Sequence, residues 1–542
     1  MSNFFKAVPR ALWILLTIIA VGVFLRSYQF HDRLDLGSDQ INDAVRVGQV
    51  VEGKAPWPLL GPDMSKSGSG GRESRFRIGP MYYYFEITSA KIFGNTPDAM
   101  AYPDLLFSIL SLPLLYYFFR QYFRQGLSLA LLGLYATSFY ILWFSHSAWN
   151  PNSIPFFSLL LLLSLLEFLV RKKDVAYGWV VALGVALGVG VQLHAILLIL
   201  FPVVTLCIFI FTVWHDRRDL WLKWGAVLLL TLLLNFGQIK SEWQTNFKNS
   251  QTFFSSVTGA SKTDTGQSLL PIKFAQVVDC TLEANAYILS SVGDKDCNFA
   301  LADIFTTPLH KWVKSNFSQP VFVLHWLFIV SFSFFGYGML YRLAKNETDE
   351  RKRYFLRLII LYLSVSLFVF LPVVSGAMRY SIHLFFLPFL FCGFFVNSLA
   401  RHRPKEYLRL VAPAFVLILL VNLYSLQAVI NGVHVDGRIV LGELDQMLAY
   451  VSEQAPGQKQ VYILVEKRHI QDYYKSLAYV AEKKGIIFVR VSDFTAVPLG
   501  KPVFAMQQST DGAQGQSVVD GHIVRSYQDF DVLAIYSLEN GQ

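Results

Sequence analysis

Two short stretches carry the side chains best suited to chemistry. In "LGSDQINDAVRVGQVVEGK" (36–54), Asp39, Asp43 and Arg46 stand at i, i+4 and i+7, which puts them on one stripe of a helix. Ser38 is placed to cap that helix. Ile41, Val45, Val47, Val50 and Val51 give it a partly buried face, and Gly53 is a stop signal. Two acids and a following base on an exposed helix commonly make only a solvated salt-bridge stripe. The functional reading makes Asp39, at the helix mouth, a general base, with Arg46 orienting it or contacting phosphate and Asp43 beside the substrate. The two carboxylates could instead share a divalent metal. That reading ranks below base catalysis, because no His accompanies them nearby.

The second stretch, "GGRESRFRIGPMYYYFE" (70–86), holds Arg72, Arg75 and Arg77 within six positions. The planar guanidinium fork suits bidentate capture of a phosphate oxyanion. A solvated charged loop is the plain alternative. The cluster abuts an apolar segment through Gly79-Pro80, and this favours an anionic lipid headgroup as its partner.

Those stretches must be positioned by membrane helices. Of 542 residues, 54% are hydrophobic and 16% charged, against roughly 25% charged in soluble domains. Apolar runs at 11–27, 100–119, 126–145, 154–170, 175–193, 195–214, 221–238, 319–341, 355–374, 381–399 and 409–428 predict about eleven transmembrane helices. The start of the chain shows no small-residue cleavage site, so the first run reads as a retained span. The net charge of +9 reflects basic connections such as "RKK" (171–173) and "ARHRPKEYLR" (400–409), not nucleic-acid binding. Basic connections face the cytoplasm. Residues 28–99, 239–318 and 429–542 then lie outside, and the arginine cluster with them. "GPMYYYFEITSAKIFG" (79–94) would reach only about 24 Å as a helix, short of a hydrocarbon core of roughly 30 Å. It reads as an amphipathic interfacial helix with Tyr82, Tyr83 and Tyr84 at headgroup depth.

The remaining candidates are single residues. Asn150 and Asn152 in "NPN" could hydrogen-bond sugar hydroxyls. His194, at the outer edge of a span, is either a hydrogen-bonded structural residue or part of the site wall. Glu242 follows the seventh span. Arg379 is a snorkelling anchor or a second phosphate ligand. Cys207 and Cys392 fall in apolar runs and read as core residues, while Cys280 and Cys297 share one polar loop and could form a disulfide. In the tail, strands at 460–466, 485–492, 502–508 and 531–538 with helices at 441–456 and 468–485 predict an α/β domain with a partly parallel sheet. The domains expected are 1–430, transmembrane, and 431–542, extracytoplasmic.

In order along the chain come an apolar span, an Asp-led helix ending in "VVEGK", a helix entered by Gly-Pro and tyrosines and closed by "KIFG", then "LYATSFYILWFSHSAWNPNSIPFF", "LGVALGVGVQLHAILLILFP" and "MRYSIHLFFLPFL". This order resembles membrane glycosyltransferases of the C superfamily, of the protein O-mannosyltransferase and lipid A aminoarabinose transferase type. The resemblance covers about residues 10–430. The family's Asp-Glu is Asp39-Gln40 here, so only the first acid carries over as base. "RIGPM" replaces the family's Lys- or His-Pro-Pro entry, which leaves Arg77 as the phosphate-contacting cation. A Glu like Glu242 follows this span in some relatives.

The resemblance implies an inverting transfer of a hexosyl or pentosyl sugar from a polyprenyl-phosphate donor to a hydroxyl-bearing lipid, glycan or protein outside a membrane. Arg46, Arg75, Arg77 and Arg379 would be the donor-phosphate ligands and Tyr82 would lie in the substrate groove. The resemblance assigns no definite cofactor, and a divalent metal is compatible with it. The expected setting is a bacterial cytoplasmic membrane. The rival reading is a transporter or flippase for a lipid-linked sugar, but the spans carry few charges at mid-membrane and show no repeated halves.

Overall fold

The computed structural model describes residues 9–63, 76–215, 219–259, 270–292, 307–316, 320–373, 378–430, 438–465, 470–509, 518–519, 522–530 and 533–539. Helix α1 (Arg10–Ser27) leads to α2 (Ser38–Val51), α3 (Met81–Phe93), α4 (Pro97–Arg120), α5 (Gln125–Thr137), α6 (Phe139–Phe144) and α7 (Ile154–Arg171). There follow α8 (Tyr177–Gly190), α9 (Ala195–His215), α10 (Asp219–Leu234), α11 (Phe236–Gln244), α12 (Lys248–Gly259), α13 (Leu270–Ser290) and α14 (Leu309–Asn316). Long helices α15 (Pro320–Asn346), α16 (Glu350–Val373), α17 (Leu387–His402) and α18 (Tyr407–Ile430) complete the bundle.

Within the described residues each expected apolar run falls mainly on helix or a 3-10 turn, but fewer than eleven are long unbroken spans. Among the described residues seven helices are long and apolar enough to cross a membrane, or eight if α10 and α11, bent by 62°, count as one. The run at 126–145 breaks at Ser138, and 175–193 yields only the 14-residue α8. The segment 239–318, expected as an outer loop, contains α13, which packs against α15, α16, α17 and α18. Its amide Asn285 donates to Ser333 Oγ at 3.0 Å, and its Leu289 carbonyl accepts from Asn422 Nδ2 at 2.8 Å. Buried Asp279, Glu283 and Asn285 interrupt its apolar face, so hydropathy alone does not reveal a helix inside the bundle.

The tail opens with α19 (Leu441–Gln454), β1 (Gln460–Val465), α20 (Ile470–Lys483), β2 (Ile487–Val491) and β3 (Val503–Gln508), then β4 (Val518–Val519), β5 (His522–Asp529) and β6 (Leu533–Leu538). The sheet order is β2-β1-β3-β6-β5-β4. Strand β1 pairs in parallel with β2 and β3, and β6 pairs antiparallel with β3 and β5. This is the partly parallel α/β domain read from the sequence, with β4 and β5 added.

The tail domain supports the helix that bears the candidate base. Ile41, Ala44 and Val47 of α2 share one buried apolar cluster with Met447, Leu477 and Val480. Ser476 Oγ donates to the Leu36 carbonyl at 2.7 Å, and Lys483 pairs with Glu52 at 2.8 Å. Helix α2 begins at Ser38 with Gly37 as its N-cap, one residue earlier than read from the sequence. The Asp35 carboxylate accepts the Gly37 N–H at 3.0 Å, and this side-chain turn replaces a serine cap. Gly53 (φ +73°) follows the helix, in the left-handed conformation that favours glycine.

Candidate active site

Helix α2 presents its acidic stripe in two environments. Asp39, in the first turn, is exposed. One turn on, Asp43 is only 7% exposed, and its Oδ1 accepts the Tyr83 hydroxyl at 2.5 Å. Burial pushes the Asp43 carboxyl up to about 7, further raised by the charge of Asp39. The Tyr83 hydrogen bond and the positive charges of Arg46 and Arg77 oppose this. Arg46 lies over the Tyr83 ring, 5.6 Å from its centroid. The stripe is therefore a half-buried charge cluster in which Asp39 is exposed, Arg46 half-buried and Asp43 buried.

Helix α3 supplies the floor. Successive helical residues point about 100° apart, so neighbouring tyrosines serve different acids. Tyr82, fully buried, donates to Asp104 Oδ2 at 2.6 Å, whereas Tyr83 donates to Asp43. Tyr84 donates to the Pro58 carbonyl at 2.8 Å. Of the tyrosines expected at headgroup depth, Tyr82 and Tyr83 are buried as carboxylate partners where α2 and α4 pack on α3, and Tyr84 is half-buried. Asp104 also accepts from Ser153 Oγ at 2.7 Å and from the Trp149 N–H at 3.1 Å, which fixes the turn that carries Asn150 and Asn152. Between these acids lies Glu86, 1% exposed, and among the described residues its Oε2 has no hydrogen-bond partner. Burial, then the charges of Asp43 and Asp104, hold its carboxyl well above the ordinary range.

Arg77 is clamped through its backbone. Its N–H donates to Asn249 Oδ1 at 2.8 Å and its carbonyl accepts from Asn249 Nδ2 at 2.9 Å. Glu242, 8% exposed, in turn accepts from Asn249 Nδ2 at 3.3 Å and Ser250 Oγ at 2.9 Å. The Arg77 side chain pairs with Asp63 at 3.0 Å and donates to the Gly61 carbonyl at 2.9 Å. Glu242 thus acts on Arg77 through Asn249. The chain then passes Gly79, where a Cβ would stand 2.2 Å from Gln192 Oε1. That oxygen accepts the Met81 N–H at 3.2 Å, so the entry to α3 requires glycine.

The other expected residues sit further into the scaffold. Asn150 is buried and donates to the Leu193 carbonyl, and Asn152 donates to the Ser147 carbonyl at 2.7 Å. His194 is buried, its Nδ1 accepts the Ile196 N–H at 3.3 Å, and its ring centroid lies 5.4 Å from that of Tyr380. Arg379 belongs to a 3-10 turn, Met378–Leu384, but its side chain lies outside the described residues, as do Arg72, Arg75 and Cys297. Cys280 is buried and disulfide-bonded, and Cys392 is a buried free thiol. Cys207, expected in the core, is exposed on a face that a bilayer would cover. Among the described residues no group of three or more His, Cys, Asp or Glu side chains is arranged to hold a metal ion.

Sequence reasoning missed Glu86, Asp104 and Tyr83, together with a second ion pair. Asp35 Oδ2 lies 3.5 Å from Arg438 Nε, and Arg438 stacks 3.6 Å above the Trp143 ring centroid. A lone acid in an apolar segment, as at Glu86 and Asp104, was the available signal.

A helical bundle with an outlying half-buried carboxylate–arginine cluster and a small sheet domain fits a known class of membrane enzyme. Residues 78–237 match the profile of the family described as dolichyl-phosphate-mannose-protein mannosyltransferase. By fold the chain is similar to ArnT from Cupriavidus metallidurans, solved bound to undecaprenyl phosphate. The identity is 12%, the TM-score 0.50, and the coverage 97% of this chain and 98% of that one. It is also similar to the Archaeoglobus fulgidus oligosaccharyltransferase, solved in complex with zinc and sulfate (13% identity, TM-score 0.51, 88% of this chain and 62% of that one). No curated protein matches the sequence. At these identities the likeness is one of fold: the chain has the fold of these membrane glycosyltransferases, built on apolar helices long enough to cross a membrane.

Proposed function

We propose that the protein is an inverting glycosyltransferase that moves a sugar from a polyprenyl-phosphate donor to a hydroxyl-bearing lipid, glycan or protein. The observation that carries this reading is the contrast along α2. Asp39 is exposed and free to meet an acceptor, while Asp43, one turn away, is buried within the field of Arg46 and Arg77. In the proposed reaction Asp39 takes the proton of the acceptor hydroxyl as its oxygen attacks the anomeric carbon. The bond from that carbon to the phosphate oxygen breaks, and the electron pair leaves on the lipid phosphate. Arg77 and Arg46 stabilise the charge that grows there. Arg75 and Arg379 are further proposed phosphate ligands.

The structure of the Cupriavidus relative with undecaprenyl phosphate supports the donor class, and the family profile over α3 to α11 supports sugar transfer. Basic connections at 171–173 and 400–409 support an orientation with Asp39 and the tail domain outside a bacterial cytoplasmic membrane. On this reading residues 1–430 form the transferase unit and 431–542 the extracytoplasmic domain, which steadies α2 through α20.

The test uses membranes bearing wild type or Asp39→Asn, supplied with a panel of polyprenyl-phosphate sugars and membrane extract, with and without chelator. Released polyprenyl phosphate should fall by about 10²–10⁴-fold in the variant at equal expression, the usual contribution of a general base. Equal turnover by both proteins would remove Asp39 from the reaction.

A further inference from the structure

A groove unconnected with the acidic cluster lies between α13, α15, α17 and α18. Its volume is about 620 Å³, and its walls are overwhelmingly apolar, with Phe332, Phe391 and Phe415 among them. Phe335, Phe395 and Leu410 are about half exposed, so the groove opens sideways where lipid would stand. An apolar cavity of this size has too few polar partners to hold ordered water.

Its depth and its mouth select the occupant. The lining runs from Phe391 to Leu399 on α17 and from Leu410 to Ile418 on α18. Eight residues of helix rise about 12 Å, which fits within the roughly 15 Å of a single leaflet's hydrocarbon. Beyond Leu399 and Leu410 the connection carries Arg401, Arg403, Lys405 and Arg409, all exposed. The one acid among them, Glu406, pairs with Arg403 at 3.5 Å. Arg401, Lys405 and Arg409 leave a net positive rim at the level where a headgroup would sit. Basic rims between transmembrane helices are suited to anionic headgroups.

We propose that this groove binds one acyl chain of an anionic phospholipid, from the leaflet adjoining residues 400–409, with its phosphate held by Arg401 and Arg409. A polyprenyl chain would outrun a groove confined to one leaflet, so the donor lipid is not its occupant. The site is independent of the transferase chemistry and would stand or fall separately from it.

Native mass spectrometry of the purified full-length chain, offered phosphatidylglycerol, phosphatidylcholine or undecaprenyl phosphate, tests this. Wild type should retain one phosphatidylglycerol, in preference to phosphatidylcholine by on the order of tenfold. Arg401→Gln/Arg409→Gln, a surface change that leaves the bundle intact, should lose the preference. Ala414→Trp, which fills the groove, should lose retention of both phospholipids while its thermal unfolding stays cooperative. Equal retention of the two phospholipids by wild type, unchanged retention in Ala414→Trp, or displacement of phosphatidylglycerol by undecaprenyl phosphate would each overturn the proposal.

Discussion

Removing the Tyr83 hydroxyl should change how the site binds phosphate as a function of pH. When Asp43 is ionised, its charge occupies the field of Arg46 and Arg77, and when it is protonated those cations are available to an anion. Affinity for polyprenyl phosphate should therefore fall as pH rises through about 7, where the Asp43 carboxyl titrates. The 2.5 Å hydrogen bond from Tyr83 favours the ionised form. A hydrogen bond to a charged group contributes about 1.5–3 kcal/mol. At 1.36 kcal/mol per pH unit, its loss in Tyr83→Phe should move the midpoint upward by roughly 1–2 units. Titration calorimetry with polyprenyl phosphate between about pH 5.5 and 10, in buffers of matched ionisation enthalpy, brackets both expected midpoints and would measure it. Asp43→Asn should bind with little pH dependence. A midpoint that stays in place in Tyr83→Phe, or a wild type whose binding ignores pH, would refute the coupling.

Three further outcomes are expected. Glu242→Ala should lower kcat about tenfold with a smaller change in KM for the donor, since it loosens Asn249 and through it Arg77, whose charge acts in the transition state; steady-state kinetics, with partial recovery in Glu242→Gln, would check this. Gly79→Ala should cost about 1–3 kcal/mol of stability, because its Cβ would meet Gln192 at 2.2 Å; Gly126→Ala, where a Cβ has open space, should unfold thermally like wild type. The Asp43 carboxyl is raised in the folded state, so the folded protein keeps a proton that the unfolded chain releases above about pH 4. That stabilisation is fully present below the unfolded value and is lost as pH rises towards about 7; Tm measured at pH 5 and pH 8 should drop more in wild type than in Asp43→Asn.

Several features were legible without coordinates. Runs of apolar residues require a lipid environment whatever their partners, so the membrane class follows from composition. Asp39, Asp43 and Arg46 share a stripe because helical geometry is local. Strands β1, β2, β3 and β6 are recognisable because most of their residues are apolar. Strand β5 was missed because its burial alternates and it reads as polar. Helix α13 was missed because its buried acids and amide lower its hydropathy.

What local pattern cannot supply is partnership across the chain. Asn249 meets Arg77 from 172 residues away, and Ser476 meets Leu36 from 440 away. Tertiary packing decided that Asp43 is buried while Asp39 is exposed, since a helical stripe fixes direction but not what covers it. Packing also brought Glu86 between Asp43 and Asp104, because Glu86 and Asp104 stand in apolar helices whose own neighbourhoods do not mark the other acids. The sequence by itself determined the class of molecule and the helix that bears the proposed base. The closed chain alone determined which of the carboxylates meets solvent, because burial depends on contacts that sequence spacing does not contain.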